Sequence, residues 1–194
     1  MNSNKERRMF DINLETRADE LDENKPMILE GYALKFNSPA FHGYTEIIDS
    51  TALDNCDMSD VCMKYNHSDT NYILARTRNG SLELEVDEIG LKFKATLIDT
   101  STNRDVYKMV QEGLLDKCSF AFTETDEVWD YETNTRTIKN IDKLYDVAVV
   151  DVPFYDSTEV FARSVEEFEE EKQKYMQGKL ELAKRKLKLK LMLK

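Results

Sequence analysis

Apolar residues at every second position dominate the first 163 residues of this chain, and that period belongs to a strand with one buried face rather than to a helix. Phe10, Ile12 and Leu14 alternate with polar or charged neighbours. So do Tyr32, Leu34 and Phe36 within Met27–Phe36, and Val61, Met63, Tyr65 and His67. Glu46-Ile47-Ile48 is a further short strand between polar loops, and the polar stretch Ala18–Pro26 is a loop. Ser81–Val86 and Leu91–Ile98 read as a hairpin joined through Asp87-Glu88-Ile89-Gly90, where Gly90 supplies a positive φ. A second hairpin joins Lys117–Val128 to Thr135–Ile141 across Tyr131-Glu132-Thr133-Asn134. Tyr145–Val152 is apolar at nearly every position, which predicts a central strand covered on both faces. One helix interrupts the pattern: Asn103–Gly113 spaces Val106, Met109 and Val110 helically, with Thr102 or Asn103 to cap it and Gly113 to end it. About eight or nine strands with one or two helices predict a mainly β fold, closed or nearly closed into a β-barrel.

The 194 residues suffice for one domain and an appendage. Twenty-seven basic against 38 acidic side chains leave a net charge of -11, which argues against a nucleic-acid groove, since phosphate binding needs clustered cations. No stretch approaches the ~20 apolar residues of a membrane span, and no apolar core follows the charged N-terminus as in a secretory signal. Cys56, Cys62 and Cys118 lack paired zinc spacing and read as reduced thiols of a cytosolic protein. With two histidines, His42 and His67, and six glycines, neither a multi-histidine metal centre nor a phosphate loop is expected, and no cofactor. The charge is uneven. Residues 1–163 carry 18 basic and 32 acidic side chains, whereas residues 164–194 carry 9 and 6. This divides the chain into a domain over 1–163 and a charged tail over 164–194. In the tail Glu166, Glu167, Glu169, Glu170 and Glu171 precede Lys172 and Lys174, the order a helix dipole prefers. From Leu182 onward the acids stop, and the run admits both a helical and an alternating reading.

Three residues could carry chemistry together. His67 ends a strand and opens a polar loop, where functional groups are commonly mounted; His42 lies in a loop and reads as a surface or packing residue. In Cys118-Ser119-Phe120-Ala121-Phe122 the aromatics take one face, which leaves Ser119 with Ala121 and Thr123 on the other, lined by small side chains. Asp146 interrupts the apolar run Tyr145–Val152, and a buried carboxylate costs several kcal/mol unless a cation or donors satisfy it. A histidine is one candidate partner for it; a lysine or arginine is the other. A histidine, a serine and an acid on separate strands are the parts of an acyl-transfer site. Cys118 is an alternative nucleophile by chemistry, but strand parity turns it into the core with Phe120.

At these residues the sequence resembles a family. Glu30-Gly31-Tyr32-Ala33-Leu34-Lys35-Phe36, Tyr65-Asn66-His67, Ala75-Arg76-Thr77 with Gly90-Leu91, Gly113–Phe122, and Leu144–Val150 with Val152-Pro153 and Arg163 follow one another as in the prohead proteases of tailed bacteriophages. These capsid-maturation serine proteases are related in fold to herpesvirus assemblins. The resemblance covers roughly residues 8–163. It implies His67 as general base, Ser119 as nucleophile and Asp146 as the acidic third member. Ser68 stands where the family often has aspartate, Ala121 where it often has glycine, and Asp146 where it often has the longer glutamate. The resemblance further implies a serine endopeptidase enclosed in the assembling prohead in the host cytoplasm. Its substrates would be the scaffold or scaffold-like segment of the major capsid protein, with self-cleavage and a homodimer also implied. The loop Pro153–Arg163 is where an oxyanion hole is expected, and the basic tail from Lys184 reads as a packaging or self-cleavage segment. A capsid-assembly or scaffolding protein without activity is the alternative.

Overall fold

The computed structural model describes residues 6–10, 15–16, 26–41, 43–68, 73–151 and 158–192. His42, the segment Ile12–Leu14 and nearly all of the loop Ala18–Pro26 lie outside the described residues. Eleven strands are seen among them: β1 (Glu6–Phe10), β2 (Glu15–Thr16), β3 (Met27–Lys35), β4 (Ala40–Phe41), β5 (Thr45–Ile48), β6 (Cys62–Tyr65), β7 (Ile73–Arg76), β8 (Leu82–Val86), β9 (Gly90–Leu97), β10 (Lys117–Asp130) and β11 (Thr135–Val150). Two helices join them, α1 (Ser101–Gln111) and α2 (Thr158–Met192). The fold is mainly β, as the periodicity requires.

The strands form two sheets, and no closed barrel is found among the described residues. The larger runs β1-β10-β11-β5-β4, with β6 also on β11 and β7 on β6; the smaller runs β2-β3-β9-β8. β1 and β2, although close in sequence, pair with different sheets: β1 with β10 and β2 with β3. Both sheets bury their inner faces in one apolar cluster, with Leu29, Leu34, Leu91 and Phe93 from the smaller sheet and Phe120, Phe122, Val147 and Val149 from the larger.

The longest strand organises the larger sheet. β11 joins two runs that the sequence presents separately, Thr135–Ile141 and Tyr145–Val152, into sixteen continuous residues. Its burial alternates through the first half and becomes continuous from Asp146 to Val150. There β10 lies antiparallel on one side and β6 parallel on the other. Earlier along β11 the place of β6 is taken by β5, also parallel.

Two local expectations need correction. Gly90 does not adopt a positive φ. It is required for a different reason: a Cβ there would stand 2.1 Å from the carbonyl oxygen of Leu34. The turn is closed instead by Asp87, whose Oδ1 accepts from the Ile89 and Gly90 N–H groups at 2.8 and 2.9 Å. The cap of α1 is Thr100, whose hydroxyl accepts from the Asn103 N–H at 3.2 Å. Asn103 is itself buried and donates to the Ile98 carbonyl at 3.0 Å, so its amide holds the loop that enters the helix. Gly113 does end the segment with φ 70°.

The charged tail is helical. α2 runs without a break across position 163, and its 35 residues span roughly 52 Å at 1.5 Å per residue. It meets the β10–β11 turn, where the Tyr131 hydroxyl donates to Glu171 at 2.9 Å, the Tyr131 and Tyr175 rings lie 5.3 Å apart, and Lys179 pairs with Glu132. Beyond Lys179 the side chains through Lys190 are exposed.

Candidate active site

The site is built on three adjacent strands. Asp146 sits on β11, Ser119 on β10, and His67 follows the end of β6. The register places Ser119 opposite Ala148 and Ala121 opposite Asp146 on β11, and on the far side it places Lys64 opposite Ala148. Paired residues share a face, so Ser119, Asp146 and Lys64 all rise from the same side of the sheet. The small side chains of Ala121 and Ala148 leave that side open between them.

His67 reaches this face through a strained turn. Asn66 and His67 both have φ 51°, a left-handed conformation costly to any residue with a Cβ. The turn is held from three directions. The Asn66 N–H donates to the Val149 carbonyl at 2.9 Å, the Ser68 N–H to the Tyr65 carbonyl at 3.0 Å, and the Asn66 side chain accepts from the Asp151 N–H at 3.1 Å. Asn66 therefore fixes the end of β6 to the end of β11, and the imidazole is turned back over the sheet.

The three side chains meet. His67 Nδ1 lies 2.5 Å from Asp146 Oδ1, and His67 Nε2 lies 2.6 Å from Ser119 Oγ. All three are buried: Asp146 is 0%, Ser119 2% and His67 5% exposed. Asp146, one methylene shorter than the glutamate common in the resemblance, nevertheless spans the distance. With the carboxylate ionised, Nδ1 carries a proton and Nε2 of the neutral ring is the acceptor for the serine hydroxyl. This arrangement can move a proton from an alcohol to an imidazole whose tautomer is fixed by an acid.

Two further groups touch this assembly. The carbonyl of Arg8 on β1 stands 2.9 Å from Ser119 Oγ, as a second acceptor for the same hydroxyl proton. Lys64 Nζ lies 3.5 Å from Asp146 Oδ2. Asp146 thus has both of the partners weighed for it, a histidine and a lysine. The Arg8 carbonyl has no side-chain signal in the sequence, and Lys64 had only the general one that a buried Asp146 needs a cation or donors.

Cys118 is fully buried in the apolar cluster, and burial pushes its thiol pKa well up. Of the segment expected to hold an oxyanion hole, Pro153–Arg163, residues 153–157 lie outside the described residues and 158–163 form the start of α2. Among the described residues no three or more histidine, cysteine or acidic side chains gather as a metal site would require, and no helix is long and apolar enough to cross a membrane.

A network of charges lies along β1. Glu46 is fully buried and accepts from Arg8 Nε at 2.5 Å and from Arg136 at 2.8 Å, and Arg136 also reaches Glu6, Glu124 and Glu127. Burial works against the Arg136 charge, but the Glu6 hydrogen bond and the Glu46 charge more than offset it and push its pKa up. The Glu124 pKa is raised as well, but there the shift favours the neutral form: burial, and then the neighbouring Glu6 charge, push it up to about 7. These side chains hold β1, and with it the Arg8 carbonyl, against β10.

The family model described as caudovirus prohead serine protease matches residues 12–172. A prohead protease of Escherichia phage T5 is 33% identical over 85 residues, which are 43% of this chain and 40% of the T5 protein's length. The solved capsid assembly protease of bacteriophage T4 is similar over 76% of this chain and 99% of its own, with a TM-score of 0.47 and 11% identity.

Proposed function

The chain belongs to the caudovirus prohead serine protease family, and on that premise we propose that it is a serine endopeptidase acting through Ser119, His67 and Asp146. The observation that carries the reading is the pair of contacts on one imidazole, 2.5 Å to Asp146 and 2.6 Å to Ser119. His67 takes the hydroxyl proton as Ser119 attacks a peptide carbonyl carbon, forming the tetrahedral intermediate. Asp146 stays ionised and stabilises the imidazolium. His67 then gives its proton to the leaving amine, and the acyl-enzyme is released by water activated at the same ring. Donors at the developing oxyanion contribute about 3 kcal/mol each. The substrates are the major capsid protein and its scaffold or scaffold-like segment, cut inside the prohead in the host cell. Residues 1–163 form the catalytic part and 164–194 a tail for packaging or self-cleavage.

Labelling with a fluorophosphonate tests this reading, since only an activated serine reacts. Wild-type protein is labelled at Ser119, while Ser119→Ala gives neither labelling nor cleavage of co-expressed capsid protein and keeps the wild-type circular dichroism spectrum. Labelling that persists in Ser119→Ala removes the assignment. A folded wild type that is never labelled leaves a capsid-assembly or scaffolding role.

A further inference from the structure

A buried carboxylate has two oxygens to satisfy, and in Asp146 they face different groups. Oδ1 is taken by His67 Nδ1 at 2.5 Å, and Oδ2 faces Lys64 Nζ at 3.5 Å, an ion-pair distance longer than a tight hydrogen bond. The carboxylate is fully buried, while the Lys64 side chain is 14% exposed. The ammonium can therefore keep part of its hydration while its charge lies against the acid. The sheet explains the approach. Lys64 and Ser119 flank Ala148 across β11, and Ala148 has no side chain long enough to keep the lysine from leaning toward Asp146. Two neighbouring cations among the described residues are engaged elsewhere. The Arg8 guanidinium binds Glu46 and turns only its carbonyl toward Ser119, and the Arg76 guanidinium binds Asp60 at 2.5 and 2.7 Å. Nearby, the Tyr65 hydroxyl donates to Asp151 at 3.2 Å, and buried Cys62 lies opposite Asp146.

We propose that Lys64 is a positioning residue of the active site: its ammonium holds Asp146 ionised, with Oδ1 presented to His67, and offsets part of the carboxylate's pull on the imidazolium. The inference rests on the triad reading above. Its consequence has a definite sign. With Lys64 in place, the ring gives up its proton more readily, so Ser119 is activated at lower pH. Without it, the carboxylate pulls harder on the ring's positive charge, and Ser119 is activated only at higher pH.

The test uses the full chain and needs no identified substrate. The rate of fluorophosphonate inactivation is measured from pH 5.5 to 9.5 for wild type, Lys64→Met, Lys64→Gln and Lys64→Arg. The expected result is an acid limb moved up by about one pH unit in Lys64→Met and Lys64→Gln. That shift is a roughly tenfold slower inactivation near pH 6, converging on wild type at high pH, while Lys64→Arg follows wild type. Either neutral variant decides, provided its circular dichroism spectrum is native. A profile of a neutral variant that superimposes on wild type overturns the proposal. So does misfolding of both neutral variants where Lys64→Arg folds, because the lysine is then only a structural ion-pair partner. Wild type that is not labelled at any pH, or Ser119→Ala that is, refutes the triad itself, an outcome distinct from either.

Discussion

Adjacent residues of a strand face opposite sides of the sheet, and in β10 this separates two nucleophiles that chemistry alone leaves equal. Cys118 points into the apolar cluster, where burial disfavours the thiolate. Ser119, one position later, touches an imidazole. Cys118→Ala therefore loses packing, about 1 kcal/mol for a small cavity, yet retains fluorophosphonate labelling within a few-fold of wild type. Iodoacetamide leaves Cys118 unmodified in the native protein, and mass mapping after labelling checks both outcomes. Parity was open to inspection in the sequence because Phe120 and Phe122 mark the inner face. The Arg8 carbonyl was not, because a main-chain group carries no residue-specific signal and its position depends on which strand β1 chooses. Lys64 lies between these cases: the need of Asp146 for a partner was legible, but the choice between lysine and histidine was not, and the structure supplies both.

Among the elements, β1 is held by more than its ladder to β10. Glu6 and Arg8 enter a buried cluster with Glu46, Glu124 and Arg136, and a cluster of this kind is sensitive to proton number. Glu124 is an acid whose folded pKa, about 7, lies above its ordinary value near 4.5. The folded state then holds a proton that the unfolded state has released, so this group makes stability fall as pH rises from about 4.5 to about 7. Glu6 is shifted in the opposite direction: burial opposes the shift, but Arg136 and Arg8 outweigh it, so its contribution is lost as pH falls below its ordinary range. Glu124→Gln keeps the shape of the protonated acid and removes its titration. At pH 8 the variant melts a few degrees above wild type, and near pH 5 the two melt together; thermal melts at the two values check this. Alternation made most strands legible, and the glycine before Leu91 marked the β8–β9 hairpin, although for close approach rather than for φ. The parallel pairings of β11 with β5 and β6 carry no such signal, since the partners lie far apart in sequence and are chosen by the packing of the whole sheet.

At the scale of the molecule, the two sheets with α1 bury one core, while α2 meets the β10–β11 turn through Glu171, Tyr175 and Lys179. From Leu180 to Lys190 its residues are exposed, with Leu180, Leu182, Leu187 and Leu189 each more than half accessible. A chain ending at Lys179 keeps Tyr131, Glu171, Tyr175 and the Lys179–Glu132 pair. It is expected to melt within about 2 °C of the full chain, since surface changes cost little, and to label with fluorophosphonate at the same rate. A fall of more than 5 °C would mean that the basic end packs on the domain. The composition shift near residue 163 pointed to a distinct tail, but the helix that carries it begins earlier, at Thr158, because backbone continuity does not follow charge.

The long strand β11 has one more effect. It bears Asp146, borders the strand of Ser119, and through the Asn66 amide tethers the turn that carries His67. Two of the three groups thus ride on neighbouring planks of a single raft, and the third sits on a turn lashed to its edge. The spacing between hydroxyl, imidazole and carboxylate is thereby set by the pairing of three strands and one tethered turn.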